Sequence, residues 1–233
     1  MLWQGDAGGA LETSRKALAL DAKLSGAYPM NAHYREELGI DYEKVGNALE
    51  NLGDVNGALE NYRKELRIFE EQSVTDPASA QFRSDLSSGF FQVASLLARI
   101  GKGTTALASS RKALEIRREL SIADPINLWK RWDVIQSYAT TSNLLAQTGN
   151  RSAALEDFRE TETLLADTID DPTNILLHSY RANAYSEVGE SLKIIALDKK
   201  TAVGQKRELL LEARSLYQRS WDVFARHAEQ VEP

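Results

Sequence analysis

Apolar residues recur every three or four positions along most of this chain, which is the spacing that gives an α-helix one buried face. One such stripe contains Tyr34, Leu38, Tyr42, Val45 and Leu49. Gly53 follows it, and glycine suits the end of a helix because it adopts a positive φ at no steric cost. Nowhere does the sequence alternate with the period of two that a β-strand requires. The pattern predicts an all-α protein.

The helical pattern repeats along the chain. Glycines at positions 5, 53, 101 and 149 are each 48 residues apart, and prolines at 29, 77 and 125 keep the same step. Within each period the glycine separates two helical stripes. Asp76-Pro77 marks the end of the second stripe, because proline disfavours helix in the residue before it. Neighbouring helix pairs must stack to bury their stripes, so the sequence predicts a tandem helical array.

This period divides the array into a half repeat, three full units and a longer last unit. The half repeat contains a second helix only, and the last unit contains a long loop and a C-terminal capping helix. The predicted bounds are residues 1–29, 30–77, 78–125, 126–172 and 173–233.

The repeated residues resemble the tetratricopeptide repeat (TPR) family. Its signature places an aromatic residue, Leu-Gly, a later alanine, another aromatic residue and a proline in that order. The residues that match are Tyr42, Val45-Gly46, Ala58, Tyr62 and Pro77. The usual unit has about 34 residues, so each helix here is longer by about two turns. The resemblance implies a right-handed α–α superhelix, a TPR solenoid, of about nine antiparallel helices.

The chain begins inside a repeat. Aligned by the 48-residue period, Met1 takes the place of Leu49, so residues 1–4 form the last turn of a helix whose body is missing. We therefore expect the chain to be the tail of a longer protein. The alternative is a natural start, with Leu2 and Trp3 folded over the exposed stripe.

Charged residues dominate the outer face of the last helix, which is predicted between Lys206 and Glu229. A terminal repeat with a polar outer face keeps an array soluble, so we expect this helix to cap it. The charged residues are Arg207, Glu208, Glu212, Arg214, Arg219, Arg226 and Glu229.

Composition narrows the range of functions. The 28 basic and 34 acidic residues give a net charge of −6, whereas a nucleic-acid-binding protein usually presents a basic face, so no nucleic-acid partner is expected. The sequence has no cysteine, which excludes disulfides and thiol catalysis. No apolar run reaches the length of about 20 residues that crosses a bilayer, and no signal peptide is present. We expect a cytoplasmic protein without a membrane partner.

The sequence contains no recognisable catalytic or cofactor motif. None of the three histidines, His33, His178 and His227, has the spacing of a metal-ligand motif. The segment from Gly101 to Ala106 contains Gly-Lys-Gly but lacks the spacing of a phosphate-binding loop. We predict no catalytic residue, no cofactor and no metal site, and hence no enzyme.

The resemblance to TPR arrays implies that the first helix of each pair lines a concave groove, which holds an extended peptide or a partner helix. Asn47, Ser95 and Asn143 share one repeat position, where short amides and hydroxyls can bond to a peptide backbone. Tryptophan is enriched at binding hot spots, so Trp129 and Trp132 are predicted as anchors; the alternative is that they pack between repeats. The predicted groove residues are Glu43, Asn47, Phe91, Ser95, Arg99, Trp129, Trp132, Gln136, Asn143 and Gln147.

The sequence thus predicts a non-catalytic scaffold that binds a protein or peptide in its groove. Two other classes remain open. Segments such as "EARSLYQRSWDVF" resemble the C-terminal TPR regions of large bacterial signalling proteins, including some serine/threonine kinases, which implies a regulatory or sensor segment of a larger enzyme. A receptor for a small signalling ligand would require a closed pocket. The open half repeat at the N-terminus also predicts self-association.

Overall fold

The computed structural model describes residues 7–168 and 174–231, except for the side chains of residues 175, 224 and 226–231. Within that part the chain forms nine α-helices and no strand, which confirms the all-α prediction. The helices are α1 (Ala7–Ala27), α2 (Ala32–Asn51), α3 (Val55–Thr75), α4 (Ala80–Arg99), α5 (Gly103–Ala123), α6 (Leu128–Gln147), α7 (Arg151–Ala166), α8 (Ile175–Leu197) and α9 (Val203–Val231).

These helices form two compact units, Met1–Ile100 and Gly101–Pro233. The first unit contains α1 to α4, and the second contains α5 to α9. The repeat bounds derived from the 48-residue period stay a prediction. Two of its landmarks, Gly5 and Pro172, lie outside the described residues, as does the predicted partial helix at residues 1–4.

Glycines with a positive φ lie between α2 and α3, between α4 and α5, and between α6 and α7. Gly53, Gly101 and Gly149 have φ angles of 83°, 74° and 83°, a conformation that strains any residue with a Cβ. Just after the first of these turns, Asp54 Oδ1 accepts the N–H of Gly57 at 2.9 Å and caps the start of α3. The glycines that revealed the repeat in the sequence are therefore the residues that turn the chain.

Two helices approach closely in the core of the first unit. The ring of Tyr62 on α3 packs on Gly46 of α2, where a Cβ would lie 2.5 Å from Tyr62 Cε1. The ring of Phe69 packs in the same way on Gly39, where a Cβ would lie 2.8 Å from Phe69 Cζ. Both rings are fully buried. The small residues of α2 therefore allow its contact with α3.

Among its described residues, the core of the second unit contains two clusters that share helix α6. The larger cluster, built mainly on α6 to α9, includes Trp132, Ile135, Phe158, Leu192 and Leu216. The smaller cluster lies between α5, α6 and α7, and consists of Leu114, Val134 and Tyr138 with Leu164 packed against it. Two sides of α6 are thus buried.

The last helix differs from its prediction in two respects. It begins at Val203, three residues before the predicted start at Lys206. Its outer face is also not purely polar, because Leu211 and Trp221 are 56% and 68% exposed. Within the described chain no helix follows α9 to cover these two residues. The predicted charged residues Arg207, Glu208, Glu212, Arg214 and Arg219 are exposed, while the side chains of Arg226 and Glu229 lie outside the described part.

Candidate functional site

The predicted groove residues of the first unit lie on its two first helices. Glu43 and Asn47 belong to α2, and Phe91, Ser95 and Arg99 belong to α4. Asn47 and Arg99 are exposed, and the other three are half-buried. Each of these five side chains retains some surface that a ligand can contact.

Glu50 links two of these predicted residues. The Tyr62 hydroxyl lies 2.7 Å from Asn47 Oδ1 and 2.8 Å from Glu50 Oε2, and Arg99 donates to the other oxygen of the Glu50 carboxylate. Burial and the hydrogen bond to Glu50 raise the pKa of Tyr62, so the phenol stays protonated and donates. The oxygen of Asn47 and the charge of Arg99 are therefore engaged within the protein, and Asn47 presents its amide NH₂ to a ligand.

Acidic side chains from three helices lie near one another in the first unit. Glu65 on α3 is 1% exposed; burial raises its pKa to about 9, with further increases from Glu43 on α2 and Asp85 on α4. Glu65 therefore keeps its proton at neutral pH. Gln92 Nε2 on α4 donates to Glu43 Oε1 at 2.7 Å, which joins α4 to α2 at this point.

The two predicted tryptophan anchors of the second unit occupy different environments. Trp132 is 3% exposed and belongs to the larger core cluster, which corrects its prediction as a groove anchor in favour of the packing alternative. The reason is that α8 packs against α6 and places the Arg181 guanidinium 5.9 Å from the Trp132 ring centroid. Trp129 is 48% exposed, and its ring meets Tyr180 of α8 edge-on, with centroids 6.2 Å apart. Of the two, Trp129 is the one that offers ring surface to a ligand.

Polar side chains continue along α6 on the side that contacts α8. Asn143 Nδ2 donates to the backbone carbonyl of Glu187 at 3.4 Å, and Asn143 Oδ1 accepts from Gln147 Nε2 at 2.5 Å. Gln147 is exposed and Gln136 is half-buried. The structure thus joins Asn143 and Gln147, two of the predicted residues, in one hydrogen-bonded group.

Glu187 belongs to this group, although the sequence reasoning misses it, as it misses Tyr180. Thr140 Oγ1 donates to Glu187 Oε2 at 2.7 Å. Burial raises the pKa of Glu187 to about 7 despite that hydrogen bond, so its charge changes near neutral pH. A signal was present, because the equivalent repeat positions carry Lys44, Gln92 and Thr140. A polar residue in every copy indicates a position that makes polar contacts, and Gln92 and Thr140 each donate to a glutamate of another helix.

Within 7–168 and 174–231, no three His, Cys, Asp or Glu side chains are grouped as metal ligands. No helix in those ranges combines the length and the apolar character that a bilayer crossing needs. The prediction that the chain has no catalytic activity stays a prediction.

Comparison with known proteins supports the fold. No protein-family model matches the sequence, and no curated protein matches it. The chain is similar to the structure of a Podosopora anserina protein described as a kinesin light chain with nearly identical TPR-like repeats. The TM-score is 0.55 and the sequence identity 14%, and the match covers 97% of this chain and 94% of that chain. It is similar to BtubC (BKLC) from P. vanneervenii, with a TM-score of 0.54, 13% identity, and coverage of 99% and 95%. These likenesses concern the fold alone, and they confirm that the chain has the all-α helical-repeat fold of TPR-like proteins.

Proposed function

We propose that this chain is a non-catalytic scaffold that binds a protein or peptide through the first helices of its second unit, α6 and α8. The observation that carries the proposal is the aromatic pair of Trp129 and Tyr180 on α6 and α8, with Trp129 48% exposed. Tryptophan and tyrosine are enriched among the residues that dominate binding energy. The TPR-like fold supports a binding role, because a helical array of this kind presents long side-chain rows to a partner.

An extended peptide suits the polar groups beside this aromatic pair. Asn143 and Gln147 supply amide donors and acceptors on the same helix, and amides can bond to a peptide backbone whatever its side chains are. Glu187 adds an acceptor whose charge depends on pH near neutrality. A ligand would therefore place one bulky side chain against Trp129 and its backbone along the amides.

Peptide selection followed by an affinity measurement tests the proposal. Peptides displayed on phage are selected on the immobilised full chain, and fluorescein-labelled copies of the enriched sequences are titrated by anisotropy. The Trp129→Ala variant should weaken binding by about tenfold or more. Trp221→Ala is the matched control, because it removes a tryptophan that is also exposed but lies on α9. Failure to enrich any peptide, or equal losses in both variants, would contradict the proposal.

The exposed apolar residues at the end of α1 and just beyond it support self-association as a second interaction. Leu20, Leu24 and Tyr28 are 62%, 38% and 57% exposed, and a second copy would shield them from water. Sedimentation velocity over a range of concentrations should show a reversible dimer that the paired change Leu20→Glu and Leu24→Glu abolishes. A wild-type chain that stays monomeric at every concentration would count against it.

A further inference from the structure

A cleft of about 440 Å³ opens in the second unit between α5, α6 and α7. Val134 and Tyr138 of α6 line it together with Leu164 of α7, and these residues belong to the smaller core cluster. Ile122 and Pro125, at the end of α5 and just beyond it, complete its apolar wall. The volume falls in the range of about 300–1,000 Å³ that is typical of ligand sites.

The cleft lies on the opposite side of α6 from the candidate groove. Trp129, Gln136 and Asn143 are seven residues apart and therefore share one side of the helix. Tyr138 follows Gln136 by two residues, which is a rotation of about 200° around the helix axis. A ligand in the cleft would therefore leave Trp129 uncovered, and the two surfaces can be tested separately.

The lining of the cleft has a net positive charge, which suits an anionic group, while Glu156 and Asp157 of α7 act on Tyr138 from beyond the lining. Arg118 and Arg131 both line it, with Glu160 as the acidic member of the lining. The Arg118 guanidinium lies 5.9 Å from the Tyr138 ring centroid, and Arg131 Nη2 donates to the Asp167 carbonyl at 3.2 Å. Neither guanidinium forms an ion pair with a carboxylate among the described residues. Each therefore keeps several N–H donors for a ligand.

We propose that this cleft is a second binding site, which takes an acidic peptide segment with a bulky apolar side chain. The apolar side chain packs on Val134 and Tyr138, and the flanking carboxylates bond to Arg118 and Arg131, because a guanidinium fits a carboxylate with two parallel hydrogen bonds. A peptide fits better than a small molecule, because a second depression, lined by Leu114, Arg118 and Ile122 among others, adjoins the cleft. Ile122 at its rim is 74% exposed, and a neighbouring peptide residue would cover it.

Three labelled octapeptides and the full chain test this assignment by fluorescence anisotropy. The first is Gly-Ser-Asp-Phe-Leu-Asp-Ser-Gly, the second replaces both aspartates by lysine, and the third replaces Phe-Leu by Ala-Ala. The first should bind saturably and the other two more weakly by about tenfold. Arg118→Glu and Arg131→Glu should each weaken binding of the first peptide by about tenfold. Arg207→Glu is the matched control, since it makes the same charge change at an exposed residue of α9, outside the cleft lining, and should leave the affinity within about twofold.

Further measurements distinguish binding in the cleft from binding in the groove, and an acidic peptide from a small molecule as the ligand of the cleft. Trp129→Ala should leave binding of the acidic peptide unchanged; a loss would place that peptide in the groove and overturn the assignment. Equal binding of the lysine peptide, or an Arg118→Glu variant that binds like the wild type, would also overturn it. Laurate serves as the probe for a small amphiphile. If laurate binds and the acidic peptide does not, the cleft takes a small molecule and the proposal fails.

Discussion

Replacing Gly46 by alanine should destabilise the first unit, although alanine is the better helix former. The new Cβ would lie 2.5 Å from Tyr62 Cε1 and 2.7 Å from Tyr62 Cδ1, well inside van der Waals contact. The ring cannot swing aside at little cost, because it is 1% exposed and its hydroxyl lies within hydrogen-bonding distance of Asn47 and Glu50. Either α2 and α3 separate or the hydroxyl leaves its acceptors.

Two opposing effects set the size of the change. Alanine gains about 1 kcal/mol over glycine in a helix interior. Overpacking a core costs about 1–3 kcal/mol, and loss of a hydrogen bond to a carboxylate adds about 1.5–3 kcal/mol. The net loss should be about 2 kcal/mol, which lowers the midpoint of thermal unfolding by about 4–8 °C for a chain of this length.

Circular dichroism during thermal and urea unfolding measures this loss, and two other glycines serve as controls. Gly189 occupies the same repeat position under Tyr217, but there the Cβ would lie 3.2 Å from the ring, so Gly189→Ala should cost less. Gly26 has no atom within 4 Å of the position that a Cβ would take, so Gly26→Ala should cost nothing. In a Tyr62→Leu background, Gly46→Ala should lower the free energy of unfolding by less, because the aromatic ring that clashes with the new Cβ is absent. A Gly46→Ala chain as stable as Gly26→Ala would refute the reasoning.

Three further changes test other parts of the structure. Glu65→Gln should flatten the pH dependence of the urea midpoint between about pH 4.5 and 9. Burial and repulsion from Glu43 and Asp85 make the folded state bind the Glu65 proton more tightly than the unfolded state does. The stability of the wild type therefore falls as pH rises through that window. Arg117→Ala should cost about 2–4 kcal/mol in the same assay, because it empties a buried site and removes a hydrogen-bond donor. Gly101→Ala should cost about 1–2 kcal/mol, since its φ is 74°.

The turns and the close helix contacts could be predicted from the sequence, because each depends on one residue and its nearest neighbours. A glycine at position 53 needs only a helix before it to imply a turn of positive φ, and this is observed. The small residue at position 46 likewise indicated a close approach of two helices, but the residue expected to face it was Ala58, whereas in the structure the Tyr62 ring packs on Gly46. Local rules of this kind apply equally in every repeat.

The environment of the tryptophans could not be predicted in the same way. Trp129 and Trp132 lie in the part of α6 that exceeds the usual TPR helix, so the resemblance gives no position to match them with. Helical spacing places both near the groove side, but it does not say how far α8 reaches along α6. Because α8 covers Trp132 and leaves Trp129 half-exposed, only the packing of two helices distinguishes them. Glu187 escaped prediction for a related reason, since its partners lie on another helix.

At the repeat position of Tyr62, the second helices α3, α7 and α9 carry an aromatic residue, whereas α5 carries Ser110. In the three units with an aromatic residue, its type decides how firmly a groove side chain is held. Where this aromatic residue is a tyrosine, its ring packs on the small residue of the first helix, and its hydroxyl extends beyond that residue to the groove. Tyr62 reaches Asn47 at 2.7 Å, and Tyr217 reaches Glu190, the equivalent residue of the last unit, also at 2.7 Å. Both groove side chains are thereby tied to the core, and a ligand must compete with a partly buried hydrogen bond to engage their oxygens.

The unit of α6 and α7 differs, because the equivalent aromatic residue is Phe158, which has no hydroxyl. Asn143 therefore takes its partners from the groove itself, the Gln147 side chain and the Glu187 backbone carbonyl. Gln147 is exposed, so the hydrogen bond that it makes is already in competition with water and costs little to exchange for a ligand. Asn143 can thus turn its amide toward a peptide at less cost than Asn47 can. Backbone recognition should for this reason depend more on the second unit, beside Trp129, than on the first.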